Sequence, residues 1–484
     1  MYSSLREFVT FLEGRGQLRR IKAPVSAELE ITEITDRVSK GPAEKNVALL
    51  FENVTGYDMP VLTNAFGSAQ RMAWALGVEE LDELGGRLAQ LLSLDMPRTL
   101  GEKLRKAGDL FGVFRATQPK RVKDAACQDM IFRDSPSLSD LPILKCWPED
   151  GGRYITLPAV ITRRPGTGRR NVGMYRLQVF DERTLGMHWQ IHKGGAEHQH
   201  DAERLGQERI PVAVALGGDP AITWAASAPM PPDIDELLLA GWLRGRPVEL
   251  VSCVSQPLEV PADADIVIEG YVDPAERRIE GPFGDHTGYY SLPDEYPVMH
   301  VTAITRRESP IYPATVVGRP PMEDYWMGKV TERLFLPLIR IFQPEVVDIN
   351  MPAEGVFHNL VIVSIRKRYP GQARKVMYGL WGLGLMMLSK AFLVVDDDVN
   401  VHDLSEVAWR VSNNVDWRRD IVVVDGPVDA LDHASPQPNY GGKIGIDATR
   451  KGPADGHSRP WPHDIVMTEA VRRLVDGRWE EYGL

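Results

Sequence analysis

Glu280 and Asp285 stand five residues apart in Ile279-Glu280-Gly281-Pro282-Phe283-Gly284-Asp285-His286-Thr287-Gly288, where glycine and proline leave the backbone little freedom. Two carboxyls in fixed relation suit acid/base chemistry. A carboxyl that donates a proton near neutral pH needs a raised pKa, and a second carboxylate close by is one of the few ways to raise it. The same residue types also build ordinary turns.

A second region with chemistry in its residue types runs from Asn171 to His192. It reads as a hairpin, Asn171 to Phe180 against Leu185 to His192, turning at Asp181 to Thr184. With Phe180 opposite Leu185, Gly173 faces His192, and Asn171 and His192 become diagonal neighbours on one face, roughly 7–8 Å apart at Cα. An amide oxygen and an imidazole so placed suit Mn²⁺ or Mg²⁺ better than a thiolate metal. Glu236 could supply a carboxylate, but Asp233 and Glu236 also make the D-x-x-E pattern of a capping box with Asp233 as N-cap. His192 taken singly reads as an ordinary hydrogen-bonding residue. The same register sets Arg176 on the face opposite Asn171, beside Trp189, unless a bulge intervenes. Lys193-Gly194-Gly195 is either a turn or a cradle for a phosphate. Further on, Asp396-Asp397-Asp398 ends a strand where α/β sheets hold ligands, or caps a helix. Lys390 could reach a phosphate or simply face solvent. No Walker loop, G-x-G-x-x-G, H-E-x-x-H or G-x-S-x-G occurs.

The elements that must position these residues follow from periodicity. At 484 residues the chain calls for two or three domains. Leu5, Phe8, Val9 and Leu12 mark an amphipathic helix stopped by Gly14 and Gly16; strands at 47–51 and 60–63 and a helix at 69–76 complete a small α/β unit. Residues 80–112 read as helical and 118–123 as a linker. From about 125 to 315, short alternating runs (157–162, 171–180, 185–192, 210–216, 248–254 and 298–305) predict a β-barrel or sandwich with one inserted helix, Asp233 to Leu243. Beyond Gly318-Arg319-Pro320-Pro321, strands at 360–365, 391–395 and 421–424 alternate with helices at 372–389 and 404–412, implying βαβ units and a largely parallel sheet. An amphipathic helix at 465–479 suits docking on another subunit.

The formal charge of −11 argues against nucleic acid as the main partner and against a polybasic membrane patch. Cys127, Cys146 and Cys253 are far apart with no Cys-x-x-Cys, so neither a disulfide framework nor a zinc ribbon is encoded and a reducing cytoplasm fits best. No secretory signal is visible, and no apolar run reaches the roughly 20 residues of a membrane span, so membrane contact is at most peripheral.

Asn171-Val172-Gly173-Met174-Tyr175-Arg176, His192-Lys193-Gly194-Gly195, Glu280 to Asp285 and Lys443-Ile444-Gly445-Ile446-Asp447-Ala448-Thr449 together resemble, in order and over nearly the whole chain, the UbiD family of reversible decarboxylases that use prenylated FMN. The resemblance implies a mixed α/β and β fold: an N-terminal α/β domain (1–115), a central split β-barrel that binds the cofactor (116–318), a C-terminal α/β domain (319–460) and a helix for oligomer contact (461–484). It implies that Asn171, His192 and Glu236 bind Mn²⁺ or Mg²⁺ at the flavin phosphate, with K⁺ near Ala225-Ala226-Ser227. Met174, Tyr175, Arg176, His188, Trp189, Gln190, Lys193 and Gly194 would line the cofactor. Arg176, Glu280 and Asp285 match the acid triad. The last of these is Glu in some members, and the shorter Asp suits a bulkier or aromatic substrate; His188 replaces an Arg frequent at its position.

Losing CO₂ from an unsaturated carbon requires a sink for two electrons, which no side chain offers and an electrophilic flavin does. The implied order is bonding of the substrate carbon to the cofactor with Arg176 fixing the carboxylate, departure of CO₂, then protonation by Asp285 tuned by Glu280. The expected function is decarboxylation of a hydroxybenzoate- or naphthoate-type acid in ubiquinone or menaquinone biosynthesis, Met187-His188-Trp189-Gln190 leaning to menaquinone. The expected partners are a flavin prenyltransferase as cofactor supplier and further copies of the chain in a dimer or hexamer. Alternatives are a decarboxylase of phenylacrylic or heteroaromatic acids, a flavin-independent metal hydrolase using Asp285 as base, and a non-catalytic assembly subunit.

Overall fold

The computed structural model describes residues 2–92, 112, 115–190, 194–230 and 234–483. The first helix, Leu5–Gly14, buries Leu5, Phe8, Val9 and Leu12, and Ser4 caps it by accepting the Glu7 N–H. It packs against a four-stranded sheet in the order Leu18–Ile21, Ala48–Phe51, Val61–Thr63, Tyr312–Pro313. That last strand arrives from far along the chain and ties the N-terminal unit to the end of the central one. The helix expected over 80–112 is seen as Asp82–Leu92; most of the remainder lies outside the described residues. The stretch expected as a linker contains a short strand, Lys120–Arg121, paired with Glu249–Ser252.

The central sheet has nine strands. Its path runs Tyr154–Ile155, Leu177–Val179, Thr184–Met187, Asp294–Arg306, Ile266–Glu280, Ile210–Leu216, Ala159–Arg163, Arg170–Gly173, with Met130–Phe132 alongside Asp294–Arg306. The two strands nearest the opposite ends, Arg170–Gly173 and Leu177–Val179, are joined by Met174-Tyr175-Arg176 alone, and four Cα steps reach at most roughly 14 Å. The sheet must therefore curl until its ends approach, although no ladder among the described residues closes it into the expected barrel. Three helices, not one, interrupt it: Gly194–Arg204, Pro220–Ala225 and Glu236–Arg244.

Ile266–Glu280, 15 residues long, carries the site carboxylate at its end. It is paired with Asp294–Arg306 but loses register at Glu269/Gly270 and again at Asp273/Arg277, so it bends. A Cβ on Gly270 would come within 2.2 Å of the His300 carbonyl oxygen, which explains glycine at the first bend.

The 20-residue helix Glu323–Phe342 links the units, packing on Ala69–Ala75 and Asp82–Leu92 on one side and on Val346–Asn350 on the other. The C-terminal sheet runs Val346–Asn350, Leu360–Ile365, Ala391–Asp396, Tyr440–Asp447, Ile421–Pro427. Its inner pairs are parallel and both outer pairs antiparallel, so it is mixed where a largely parallel sheet was expected. The helix expected over 372–389 ends at Trp381, where Gly382 caps it. The terminal helix spans Glu469–Asp476 and buries none of its residues. No helix among the described residues is long and apolar enough to cross a membrane.

Gly270→Ala is expected to cost about 1–3 kcal/mol by overpacking the bend. Denaturant unfolding checks this against Gly14→Ala, at a helix end with nothing within 4 Å of the added Cβ, which should change stability by less than about 0.5 kcal/mol.

Candidate active site

Arg176 lies in the three-residue link between sheet ends, outside strand alternation, and its guanidinium joins both carboxylates of the glycine and proline loop. Nε donates to Glu280 Oε1 at 2.8 Å, Nη2 to Glu280 Oε2 at 3.2 Å and to Ser291 Oγ at 3.0 Å, and Nη1 to Asp285 Oδ2. The Cζ atom sits 4.5 Å from the Phe283 ring centroid. All three charged side chains are buried, Glu280 completely. The hairpin register that set Arg176 apart from Asn171 does not form. Leu185 pairs with Val179, not Phe180, and Asn171 sits on a different strand, paired with Thr162.

A shared cation changes the electrostatics expected for two adjacent acids. Burial alone would raise the Glu280 carboxyl, but the His188 hydrogen bond and the Arg176 charge outweigh it and bring it down to about 2. Burial is likewise overcome at Asp285, which the Arg176 charge and the His286 hydrogen bond hold below the usual carboxylate range. Mutual repulsion of two acids therefore does not raise either one, because a guanidinium stands between them. His188 Nδ1 lies 3.0 Å from Glu280 Oε2 and its Nε2 lies 3.4 Å from Gln190 Nε2.

Three residues outside the motif hold the loop. Asp150 Oδ1 accepts the Gly284 N–H at 2.8 Å while its Oδ2 accepts those of Cys146 and Trp147. Gln178 Oε1 accepts the Gly281 N–H at 2.8 Å. Trp147 covers Gly284 so closely that a Cβ there would lie 2.1 Å from Trp147 Cδ1. Gly281 adopts φ 103°, a region open to glycine.

Of the residues expected at the flavin phosphate, the described ones Asn171, Tyr175, Gly194 and Glu236 lie near one another. Glu236 opens the helix Glu236–Arg244, and its Oε2 accepts the Val172 N–H at 2.9 Å, next to Asn171. The N-cap of the helix is Asp235, which accepts the Leu237 N–H, where Asp233 was expected. Asp233, His192 and Lys193 lie outside the described residues. Burial pushes the Glu236 carboxyl up to about 7. The Tyr175 hydroxyl accepts the Gly195 N–H at 3.1 Å and the Asn171 amide N–H at 3.3 Å.

These residues fit a phosphate-bearing group with a cation. A Cβ on Gly194 would fall 2.1 Å from Asn171 Oδ1, and one on Gly195 2.6 Å from Trp189 Nε1, so only glycine leaves room there. The buried Trp189 Nε1–H has no hydrogen-bond acceptor among the described residues. Asn171 and Glu236 are oxygen donors suited to a hard divalent cation. Met174 N–H donates to the Ala226 carbonyl at 2.8 Å, bringing the segment Ala225-Ala226-Ser227 beside the link.

Lys390 Nζ is paired with Asp432 at 2.7 Å. The acidic run at the end of Ala391–Asp396 is closed by Arg450, which takes Asp398, and the following helix is capped by Asp403. Sequence reasoning missed His286, Ser291, Asp150, Gln178 and His358. His286 adjoins the motif, but nothing local marks the other four.

Family models match the chain in three consecutive segments: the 3-octaprenyl-4-hydroxybenzoate carboxy-lyase N-terminal domain over residues 9–88, its Rift-related domain over 120–320 and its C-terminal domain over 325–448. The chain belongs to the UbiD family of carboxy-lyases. It is 52% identical to an uncharacterized protein of Archaeoglobus fulgidus over 99% of this chain and 98% of that one. Its fold is similar to the UbiD-class enzyme HmfF from Pelotomaculum thermopropionicum, solved in complex with FMN (30% identity, TM-score 0.82, 98% and 99% of the two chains). An evolved dimeric form of HmfF was solved in complex with prFMN (29% identity, TM-score 0.80, 98% and 100%). It is also similar to the vanillic acid decarboxylase of Sedimentibacter hydroxybenzoicus in closed form (28% identity, TM-score 0.85, 100% and 99%).

In this member of the UbiD family the depressed Glu280 carboxyl stabilises the fold above its ordinary value of 4.5, and that contribution is lost as pH falls toward about 2. Glu280→Gln is expected to lower stability at pH 7 by about 1–3 kcal/mol and to flatten the acid limb below pH 4.5 in a series of unfolding curves.

Proposed function

We propose that this chain catalyses reversible, non-oxidative decarboxylation of an aromatic carboxylate of hydroxybenzoate or naphthoate type, with prenylated FMN, in quinone biosynthesis. The observation that carries the reading is one buried guanidinium held between two carboxylates, on the face of Phe283. It supplies a carboxylate-binding cation and a proton-carrying group in direct contact. The similar structures, complexes with FMN or prFMN and a vanillic acid decarboxylase, support the cofactor and the aromatic class of substrate.

In the forward direction the reaction consumes one proton: RCOO⁻ and H⁺ give RH and CO₂. Arg176 binds the substrate carboxylate bidentately. That engagement draws its Nη1 donor from Asp285, and a buried carboxylate that loses its cation rises in pKa, so Asp285 takes up a proton. Asp285 then delivers it to the carbon that CO₂ leaves. Glu280, kept anionic by His188, holds the guanidinium on its other edge so that it pivots rather than departs. Prenylated FMN, when bound, supplies the electron sink. Asn171, Glu236 and His192 would hold Mn²⁺ or Mg²⁺ at its phosphate; Met174, Tyr175, His188 to Gln190, Lys193 and Gly194 would line it. K⁺ at Ala225 to Ser227 and a phosphate role for Lys390 belong to the same reading.

Exposed Ile465, Val466, Met467 and Leu474 around the terminal helix support a homo-oligomer, a dimer or hexamer. The unpaired cysteines support a cytoplasmic enzyme, and a flavin prenyltransferase would supply its cofactor.

Protein co-produced with a flavin prenyltransferase and Mn²⁺ is expected to release prenylated FMN by absorbance and mass, and to decarboxylate members of an aromatic-acid panel. Release of no flavin would count against the reading. Asp285→Asn should retain the flavin and lose at least about 10²-fold in kcat; wild-type turnover by that variant would remove Asp285 from the proton step.

A further inference from the structure

Asp285 is 5% exposed, yet on the decarboxylase reading it must regain a proton at each turnover. Its Oδ2 faces Arg176, but its Oδ1 faces a second system. Oδ1 accepts both the backbone N–H and Nδ1–H of His286, each at 2.8 Å. His286 Nε2 in turn lies 2.9 Å from Nε2 of His358, which precedes the strand Leu360–Ile365 of the C-terminal sheet. Exposure rises along this line from the buried Asp285 to the part-exposed rings of His286 and His358, with His358 Nδ1 itself on the buried side of its ring.

His358 is held by strained backbone. Val356 and Phe357, the two residues before it, adopt φ 54° and 42°. Left-handed conformation at a β-branched and an aromatic residue is costly and persists where surrounding packing enforces it, often at functional sites. Phe357 is that packing: its ring sits 5.5 Å from His286, and Gly328 of the helix Glu323–Phe342 leaves room for it, since a Cβ there would be 3.1 Å from Phe357 Cδ2. Besides Asp285 and His358, the carboxyls of Asp324 and Asp429 face His286. Their charges favour a positive imidazole there, that of Asp324 to the extent that it is ionised, since burial raises its carboxyl to about 7.

We propose that His286 and His358 are positioning residues that act through Asp285, relaying protons to it from the side of the C-terminal sheet. A proton reaching the buried His358 Nδ1 lets the His358 Nε2 proton pass to His286 Nε2. The Nδ1 proton of His286 then passes to Asp285 Oδ1. Deprotonation of His286 Nδ1 and His358 Nε2 leaves each ring neutral, and the relay resets by exchange of tautomers; one proton enters and one is delivered. In carboxylation the same path runs outward. The geometry fits two functions at once, because Oδ2 answers to the substrate through Arg176 while Oδ1 answers to the proton supply.

The test compares His358→Gln, whose amide keeps a hydrogen bond to His286 but carries no proton, with His358→Ala. Both are expected to lower kcat by about 10²-fold with KM within about twofold, and to shift the alkaline limb of the kcat profile to lower pH. Free imidazole should restore His358→Ala toward wild type. Unchanged kcat in His358→Gln, or a loss that is independent of pH and not rescued, would overturn the relay. A second readout needs no turnover: ¹³Cε1-histidine NMR of the cofactor-free protein should show His286 and His358 taking up protons as a coupled pair, and independent titration would overturn the proposal. If wild type decarboxylates none of the acids tested, the decarboxylase reading fails by itself, and the NMR titration still decides whether the imidazoles share a proton.

Discussion

One guanidinium between two buried carboxylates sets the terms for the rest of this structure. A lone buried charge costs several kcal/mol, and a buried pair is tolerated only with good geometry and satisfied hydrogen bonds. Arg176 meets that condition with Glu280, Asp285 and Ser291 together. The arrangement leaves one negative charge in excess; His286, which Asp285 holds toward its protonated form, offsets it, while His188, kept toward its neutral form by burial and the Arg176 charge, gives Glu280 a hydrogen bond. Such a site is stable at rest and is disturbed by any ligand that competes for the guanidinium. On the proposed reading a substrate carboxylate would do so, and the acid next to it would answer.

Bringing these groups together is the work of the central sheet. Arg176 sits in the link between strands at opposite ends of the hydrogen-bonded path, so it exists in the right place only because the sheet curls. Glu280 ends the longest strand, whose two register shifts bend it toward that link. Asp285 hangs on a loop held by Asp150 and Gln178, residues that carry no chemistry of their own. Rigid backbone support of this kind lets a short Asp side chain act where a longer Glu would have more freedom.

The same link separates the two halves of the proposed cofactor site. On one side Asn171, Glu236, Tyr175 and the Gly194-Gly195 pair form a polar cradle; on the other lie the acids. On that reading the residues that would hold a flavin phosphate and the arginine that joins the two acids belong to one continuous segment, 171–176. This accounts for the concentration of distinctive residues in so short a stretch. The strand Tyr312–Pro313 joins the end of the central unit to the N-terminal sheet, and the helix Glu323–Phe342 packs on both the N-terminal helices and the C-terminal sheet, so the His286–His358 contact is made between packed units.

Much of this was legible in the residues. The first helix, the strands of the N-terminal unit and the alternation beyond residue 350 follow from local periodicity, because burial of one face imposes it. The acids Glu280 and Asp285, and Arg176 with them, were identifiable by motif. Their protonation was not: two acids five residues apart predict a raised pKa, and the cation that reverses it lies 104 residues away from Glu280. The hairpin register failed for a related reason, since turn and pattern leave a one-residue slip open and cannot reveal that Asn171 and Leu177 belong to different strand pairs. Asp150, Gln178, Ser291 and His358 are ordinary residues in sequence and acquire meaning only from what the fold sets against them. Residue types and local spacing thus determined which chemistry was available to this chain. Tertiary structure alone decided which charges meet, because electrostatic coupling depends on distance in space and on burial, and neither is a property of the sequence read in order.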